Sequence, residues 1–341
     1  MRVLLIKTSS MGDVIHTLPA LTDALAAVPT LQVDWVVEEA FAELAQRHPA
    51  VVNVFPCALR RWRKHPLKAR RSGEWAAFKA ALQAVKYDAV IDAQGLIKSA
   101  FVTRLARGPK FGLDKHSARE GLSARVLDHP LSVVRGQHAI QRVRQLFSQA
   151  LNYPLPDAAP DYGLPRDHVP APLSQPAELV FCHGTTWPTK HYPEGFWRQL
   201  LELATAEGHR VHLPWGNDEE KARAERLAAG LERVAVLPKM GLDSLTDKLL
   251  GWDAFIAVDT GLAHLAAAAG LPGVALYGPT DPVLTGVQGV RASSLAADFP
   301  CAPCVQESCT YRGELGKGVD PPCFSTLKPE TVWRALRRQS L

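Results

Sequence analysis

Residues 3–21 read Val3-Leu4-Leu5-Ile6-Lys7-Thr8-Ser9-Ser10-Met11-Gly12-Asp13-Val14-Ile15-His16-Thr17-Leu18-Pro19-Ala20-Leu21, and their hydrophobic period changes partway. Residues 3–7 are a short apolar run that ends in a Thr-Ser-Ser-Met-Gly turn. From residue 13 to 27 the apolar side chains Val14, Leu18, Leu21 and Leu25 return at helical spacing. Pro19 lies inside that stretch and is expected to kink or restart the helix. Residues 33–37 read as the next strand, 78–85 as helix and 89–92 as strand. Strand and helix in alternation predict a parallel sheet with helices on both faces.

Seven prolines between residues 152 and 178 interrupt this rhythm and mark a linker. Beyond it the alternation resumes. Strands are expected at 179–183, 210–213, 234–237, 255–259 and 274–277. Helices are expected at 194–207, 219–229, 244–250, 262–269 and from 329 to about 339. The predicted division is a first α/β domain over 1–160, a second over 161–325, and a last helix, 326–341, that packs back on the first domain. Open sheets of this kind bind ligands beyond the carboxyl ends of their strands, so two of them are expected to border a cleft.

The chain of 341 residues is 47% hydrophobic and 21% charged, which excludes a disordered chain, a coiled coil and a collagen-like fibre. No uncharged apolar run approaches the ~18–20 residues that span a bilayer. The first residues have too short an apolar stretch for a secretory signal, so the expected location is cytoplasmic. The net charge of +5 hides an asymmetry. Residues 1–150 hold 22 Lys and Arg against 12 Asp and Glu, whereas the remainder holds 17 against 22. Residues 44–73 contain no acid, but they carry Arg47, Arg60, Arg61, Arg63, Lys64, Lys68, Arg70 and Arg71. That suits a polyanionic partner, or it is a solvated basic loop.

The first turn has one glycine, so it is neither a dinucleotide fingerprint nor a P-loop. Its carboxylate, Asp13, reads either as a general base or as a helix cap. In the second half, Asp259-Thr260-Gly261-Leu262-Ala263-His264 again joins strand to helix. Gly261 lets a phosphate approach the free N–H groups of the helix start, or else the segment is a capped turn. His183-Gly184-Thr185-Thr186-Trp187-Pro188-Thr189-Lys190 sets hydroxyls and a lysine beyond a strand, as a diphosphate site or a polar loop. Glu220, just after Pro214-Trp215-Gly216, reads as a ribose acceptor or as part of a solvated helix face. Cys301, Cys304, Cys309 and Cys323 have the look of a structural four-thiolate zinc site, with free thiols as the other reading. Cys57 and Cys182 read as buried fillers.

Taken in order, these pieces resemble the heptosyltransferase I family of lipopolysaccharide inner-core synthesis, in glycosyltransferase family 9. The resemblance rests on residues 7–21 together with Asp34-Trp35-Val36-Val37-Glu38-Glu39, Arg60-Arg61-Trp62-Arg63-Lys64 and Asp92-Ala93-Gln94-Gly95-Leu96. It continues through Pro214-Trp215-Gly216, Leu237-Pro238-Lys239-Met240, Asp259-Thr260-Gly261 and Tyr277-Gly278-Pro279-Thr280-Asp281-Pro282. It implies a GT-B fold, two Rossmann-like domains facing across a cleft that closes in the reaction. It also implies inverting transfer of L-glycero-D-manno-heptose from ADP-heptose to the first Kdo of Kdo2-lipid A, with no required metal or cofactor.

By the same resemblance Asp13 is the catalytic base. Thr185, Thr186, Lys190, Glu220, Met240, Asp259, Thr260, Gly261 and His264 form the donor site. Arg60, Arg61, Arg63, Lys64, Lys98 and Arg119 form the acceptor face. A monomer on the cytoplasmic face of the inner membrane is implied, with no nucleic-acid partner. The cysteine-rich tail departs from the pattern expected of first heptosyltransferases. That keeps a heptosyltransferase II, or a later-acting enzyme adding heptose to heptose, as the alternative. A nucleic-acid binder using residues 60–71 and a nucleotide-sugar epimerase are the readings from other classes.

Overall fold

Twelve strands among the described residues of a computed structural model form two sheets, both wholly parallel. The structure describes residues 1–65, 69, 71–164 and 166–340, and of Arg60 and Arg63 only the backbone. The first sheet comprises β1 (Arg2–Ile6), β2 (Gln32–Glu38), β3 (Val51–Cys57), β4 (Ala89–Asp92), β5 (Lys110–Leu113) and β6 (His129–Leu131), in the order β3-β2-β1-β4-β5-β6. The second comprises β7 (Glu178–Cys182), β8 (Arg210–Leu213), β9 (Val234–Val236), β10 (Ala254–Val258), β11 (Gly273–Tyr277) and β12 (Ala292–Ala296), in the order β12-β11-β10-β7-β8-β9. Counted from its own first strand, each sheet has the doubly wound order 3-2-1-4-5-6.

The central strands are the ones legible in the sequence, because both of their faces are covered. Val3, Leu4, Leu5 and Ile6 of β1 are fully buried, as are all five residues of β10. Three of the four edge strands, β3, β6 and β12, carry no such run, and neither does the interior strand β5; the edge strand β9 coincides with the strand expected at 234–237. β3 buries only its two ends, Val51 and Cys57, and carries Pro56, β6 is His-Pro-Leu, and β12 is Ala-Ser-Ser-Leu-Ala. Proline is tolerated at an edge, where a ladder N–H is not required on the outer side. A helix not expected from the sequence, Ala139–Leu151, buries Ile140, Val143, Phe147 and Leu151.

Pro19 restarts the chain rather than kinking it. One helix, Met11–Ile15, ends before it, and a second, Leu18–Ala27, carries it in the first turn, where its missing N–H costs nothing. The two compact units divide at Leu164/Pro165, within the proline-rich segment. The last helix, Pro329–Gln339, belongs to the second unit. It buries Val332, Trp333 and Leu336 against the helix Glu194–Ala206 and strands β10–β12, and Trp333 Nε1 donates to Glu207 Oε1 at 2.9 Å. The apolar stripe of this helix is spent on the second core.

Candidate functional site

In a doubly wound sheet the strand order reverses at one point, and the loops there flare apart to leave a crevice. In the first unit that point lies between β1 and β4. Asp13 follows β1 in the short helix Met11–Ile15. Ser10 is the cap of that helix, and Asp13, three residues on, reaches back to it. The Ser10 N–H and Oγ donate to Asp13 Oδ2 at 2.9 and 3.0 Å. Lys7 Nζ sits 3.2 Å from Oδ1 and also donates to the Ala93 carbonyl at 3.1 Å.

Both carboxylate oxygens are therefore held, yet 41% of the side chain is open to solvent. Partial burial works to raise the pKa of this group. Lys7, the Ser10 N–H and His16 more than offset it and bring the value down to about 2. Asp13 is thus an oriented, ionised carboxylate at neutral pH. The capping contacts leave the carboxylate ionised and partly open, so the cap and a base role are compatible in one residue.

The turn after β4 is built around Asp92. Its buried carboxylate accepts from the Gln94 and Gly95 N–H groups, from Ser99 Oγ and from Thr103 Oγ1. Burial pushes its pKa up and those four donors counter it. Gln94 Oε1 in turn accepts from the Thr8 and Ser9 N–H groups at 2.9 and 3.2 Å, which locks the Asp13 loop to β4. Lys98 Nζ donates to Ser9 Oγ at 2.9 Å. Lys98 thereby joins Asp13 in one crevice.

Of the other predicted acceptor residues, Arg119 and Lys64 are exposed, and the side chains of Arg60 and Arg63 lie outside the described residues, as do Lys68 and Arg70. Arg61 is engaged by acids from outside the acid-free run, Glu74 at 2.8 Å and Glu39 at 3.3 Å. Glu74 also accepts from Trp62 Nε1. Next to them a cavity of about 430 Å³ opens between Phe55, Pro56, Trp62 and Phe78. Trp75 stacks on Phe101, whose side chain is more than half exposed.

In the second unit the reversal lies between β7 and β10. Lys190 Nζ sits 2.7 Å from Asp259 Oδ2, and 4.6 Å from the centroid of the Trp187 ring. Thr280 Oγ1 donates to the same Oδ2 at 2.7 Å, Thr185 Oγ1 donates to the Asp259 carbonyl at 3.1 Å, and His264 Nε2 lies 3.9 Å from Oδ1. Thr260 caps the helix Gly261–Ala268, whose first N–H groups lie beside this cluster.

Glu220 Oε2 accepts from the Gly216 N–H at 2.7 Å, and its carboxyl lies where a Cβ on Gly184 would fall. Glu220 thus bridges the loops after β7 and β8. Thr186 is exposed and Met240 half-buried on the loop after β9. His183, at the end of β7, is fully buried with neither ring nitrogen partnered among the described residues. Burial pushes its pKa down to about 4, so it is neutral.

The cysteine tail does not take the arrangement expected of a zinc site. Cys301 is exposed, Cys304 and Cys309 are half-buried, and Cys323 is buried in the turn Pro322–Thr326. Burial lifts the Cys323 thiol to about 12, with the other three thiols adding to the effect. Among the described residues no three His, Cys, Asp or Glu side chains converge to hold a metal ion. Cys323 packs in the core beside Phe324 and Gly278, with the other three thiols near enough to raise its pKa. Cys57 and Cys182 are buried, as read.

Sequence reasoning did not assign roles to Lys7, Ser10, Gln94 or Thr280. Lys7 had one signal, a cation closing a fully apolar strand, and Ser10 had the three-residue spacing of a capping box to Asp13; Gln94 and Thr280 depend on pairs far apart in the chain.

Residues 75–314 match the family described as Glycosyltransferase family 9 (heptosyltransferase). Lipopolysaccharide heptosyltransferase 1 of Pseudomonas aeruginosa is 53% identical over 340 residues, covering 97% of this chain and 96% of that protein. The protein of the same name from Escherichia coli K12 is 49% identical over 291 residues, covering 85% of this chain and 91% of its own. A solved structure titled E. coli heptosyltransferase WaaC with ADP superposes with a TM-score of 0.86 at 43% identity, over 99% of this chain and all of that one.

Proposed function

The chain belongs to the heptosyltransferases of glycosyltransferase family 9, and on that premise we propose that it moves L-glycero-D-manno-heptose from ADP-heptose to the first Kdo of Kdo2-lipid A. The observation that carries the chemistry is the pair of switch-point sites. One holds an ionised carboxylate fixed by Lys7 and Ser10. The other holds a lysine and hydroxyls at a helix start.

In this reading the first unit takes the acceptor and the second takes the donor. Asp13 accepts the proton of the attacking Kdo hydroxyl. The hydroxyl oxygen bonds to the anomeric carbon from the face opposite ADP, the carbon–oxygen bond to the diphosphate breaks, and ADP leaves with the electron pair. The configuration inverts. Lys190, Thr185, Thr186 and the N–H groups at Thr260–Gly261 neutralise the charge that grows on the diphosphate. Asp259 holds Lys190 in place, and His264 stands on the sugar side. Glu220 and Met240 border the nucleoside. No metal is required in this scheme, because the cation and the N–H groups supply the stabilisation.

The acceptor carries carboxylates, phosphates and acyl chains. The basic residues Arg61, Lys64, Lys98 and Arg119 suit the anions, with Arg60 and Arg63 assigned to the same face. The exposed Ile97 and Phe101 beside them suit a lipid surface. No helix among the described residues is long and apolar enough to cross a membrane. We therefore assign a peripheral position on the cytoplasmic face of the inner membrane. Transfer of heptose to heptose is not favoured, since the relatives at 53% and 49% identity bear the name of the first enzyme.

The test is ADP release from ADP-heptose with Kdo2-lipid A or its deacylated form. Turnover is expected for the wild type and not for Asp13→Ala, with ADP-heptose binding kept in both. A folded wild type that binds donor but turns over only heptosylated core would overturn the acceptor assignment.

A further inference from the structure

We propose that Arg135 and Arg142 form a carboxylate-binding subsite next to Asp13 that takes the acidic group of the acceptor sugar. The proposal rests on the acceptor reading above and names the group recognised.

A continuous path of contacts leads from the base to this pair. His16 is close enough to Asp13 to stabilise its charge. The His16 ring lies 5.5 Å from that of His138, edge to face. His138 caps the helix Ala139–Leu151, accepting from the Ile140 N–H at 3.2 Å. Arg142 stands one turn further on, with its N–H on the His138 carbonyl at 3.1 Å. Residues four apart on a helix share a face, so Arg142 lies on the side of His138.

The two guanidinium groups are fastened to consecutive carbonyls of one loop. Arg142 Nη2 donates to the Ser117 carbonyl at 2.7 Å, and Arg135 Nη2 donates to the Ala118 carbonyl. Ser117 is itself anchored, with its Oγ accepting from the Val133 N–H. Arg142 Nε is shielded from solvent and has no partner among the described residues. Burial and the neighbouring Arg135 both push the Arg142 pKa down, and no acid offsets them.

The carboxylates of that loop are occupied elsewhere. Asp114 accepts from the His116 and Ser117 N–H groups, and Glu120 accepts from the Ile97 N–H. Among the described residues neither carboxylate bonds to the arginines. Two like charges held together, one with a buried N–H to spare, cost free energy until an anion arrives. A planar carboxylate matches the guanidinium fork and relieves both the repulsion and the open donor. In a Kdo acceptor the group that lies near the attacking hydroxyl and carries this charge is the sugar carboxylate, whereas the phosphates lie out on the lipid portion.

The experiment pairs enzyme and substrate changes. Wild type, Arg142→Met and Arg135→Gln are assayed with deacylated Kdo2-lipid A, with its Kdo carboxyl methyl ester and with a dephosphorylated form. The urea transition of the first unit reports that each variant is folded, and Arg135→Gln, at an exposed side chain, covers the case of a poorly folded Arg142 variant. The expected result is a loss of about 10- to 100-fold in kcat/KM on esterifying the wild type's acceptor, the size of a hydrogen bond to a charged group. Both variants lose a similar factor on the intact acceptor and are indifferent to the ester. Dephosphorylation costs wild type and variants alike. A variant as sensitive to the ester as the wild type, or one whose defect disappears on the dephosphorylated acceptor, overturns the proposal. A wild type with no turnover on the intact acceptor instead overturns the acceptor reading on which it stands.

Discussion

Lys7 Nζ lies 3.2 Å from Asp13 Oδ1, a buried cation at the end of β1 paired with a half-exposed carboxylate six residues later. The lysine is itself fixed by the Ala93 carbonyl, so it does not follow the carboxylate if Asp13 moves. Asp13 has a folded pKa of about 2, below its ordinary 3.8. Its ionised form is therefore favoured in the folded protein at every pH above that range, and this advantage is lost as pH falls through about 2. Activity that depends on ionised Asp13 should hold to below pH 4. In Lys7→Met burial is no longer offset by the strongest attraction, so the acid limb of kcat/KM should move up. A pH–rate profile of the two proteins decides the matter, and an unmoved limb would remove Lys7 from the account.

Lys190 is the one cation in contact with Asp259 among the described residues. If it neutralises the leaving diphosphate, Lys190→Gln should lower kcat by roughly 10²–10³, the usual cost of removing one donor to a developing anion. ADP affinity should fall as well. Steady-state kinetics and ADP titration measure both.

Gly184 leaves room for the Glu220 carboxyl, which a Cβ would meet at 2.7 Å. Gly184→Ala should displace Glu220 from the Gly216 N–H and raise the donor KM while changing kcat little. Kinetics with ADP-heptose varied are the check. An unchanged KM would argue against a nucleoside-side role for Glu220.

Arg144 and Asp23 form a buried ion pair at 2.6 Å that ties the helix Ala139–Leu151 to the helix Leu18–Ala27. Arg144 also donates to the Ala158 and Pro156 carbonyls. Asp23→Ala leaves that charge buried with carbonyls alone and should cost about 3–5 kcal/mol. Urea denaturation followed by signals from the first unit should register it.

Trp333 anchors the last helix to the second core. Trp333→Ala should cost about 3–5 kcal/mol. The loss should appear as reduced hydrogen-exchange protection in β10 and β11, with β1 and β4 unaffected. Equal loss in both sheets would give this helix a role in the first unit as well.

The sequence alone determined the alternation of elements, the two α/β units, the proline-rich division and the loops where chemistry resides. It did so because central parallel strands are buried on both faces and leave continuous apolar runs, as in residues 3–6 and 254–258. The turn after each such strand is short and polar, so Asp13 and Asp259 stood out beside it.

Edge strands such as β6 and β12 carry no such run, and only their neighbours decide that they pair. The last helix shows its apolar stripe in sequence, but which core it covers depends on where a matching surface lies. Four cysteines at suggestive spacing do not by themselves make a metal site, and among the described residues no three ligating side chains converge to hold an ion. The same holds for the electrostatics. That Arg61 meets Glu39 and Glu74, that Lys7 meets Asp13, and that Arg135 and Arg142 bond to adjacent carbonyls of one loop are facts of tertiary contact. Charge interactions fall off with distance in space, and chain position records that distance only within a turn or two of helix.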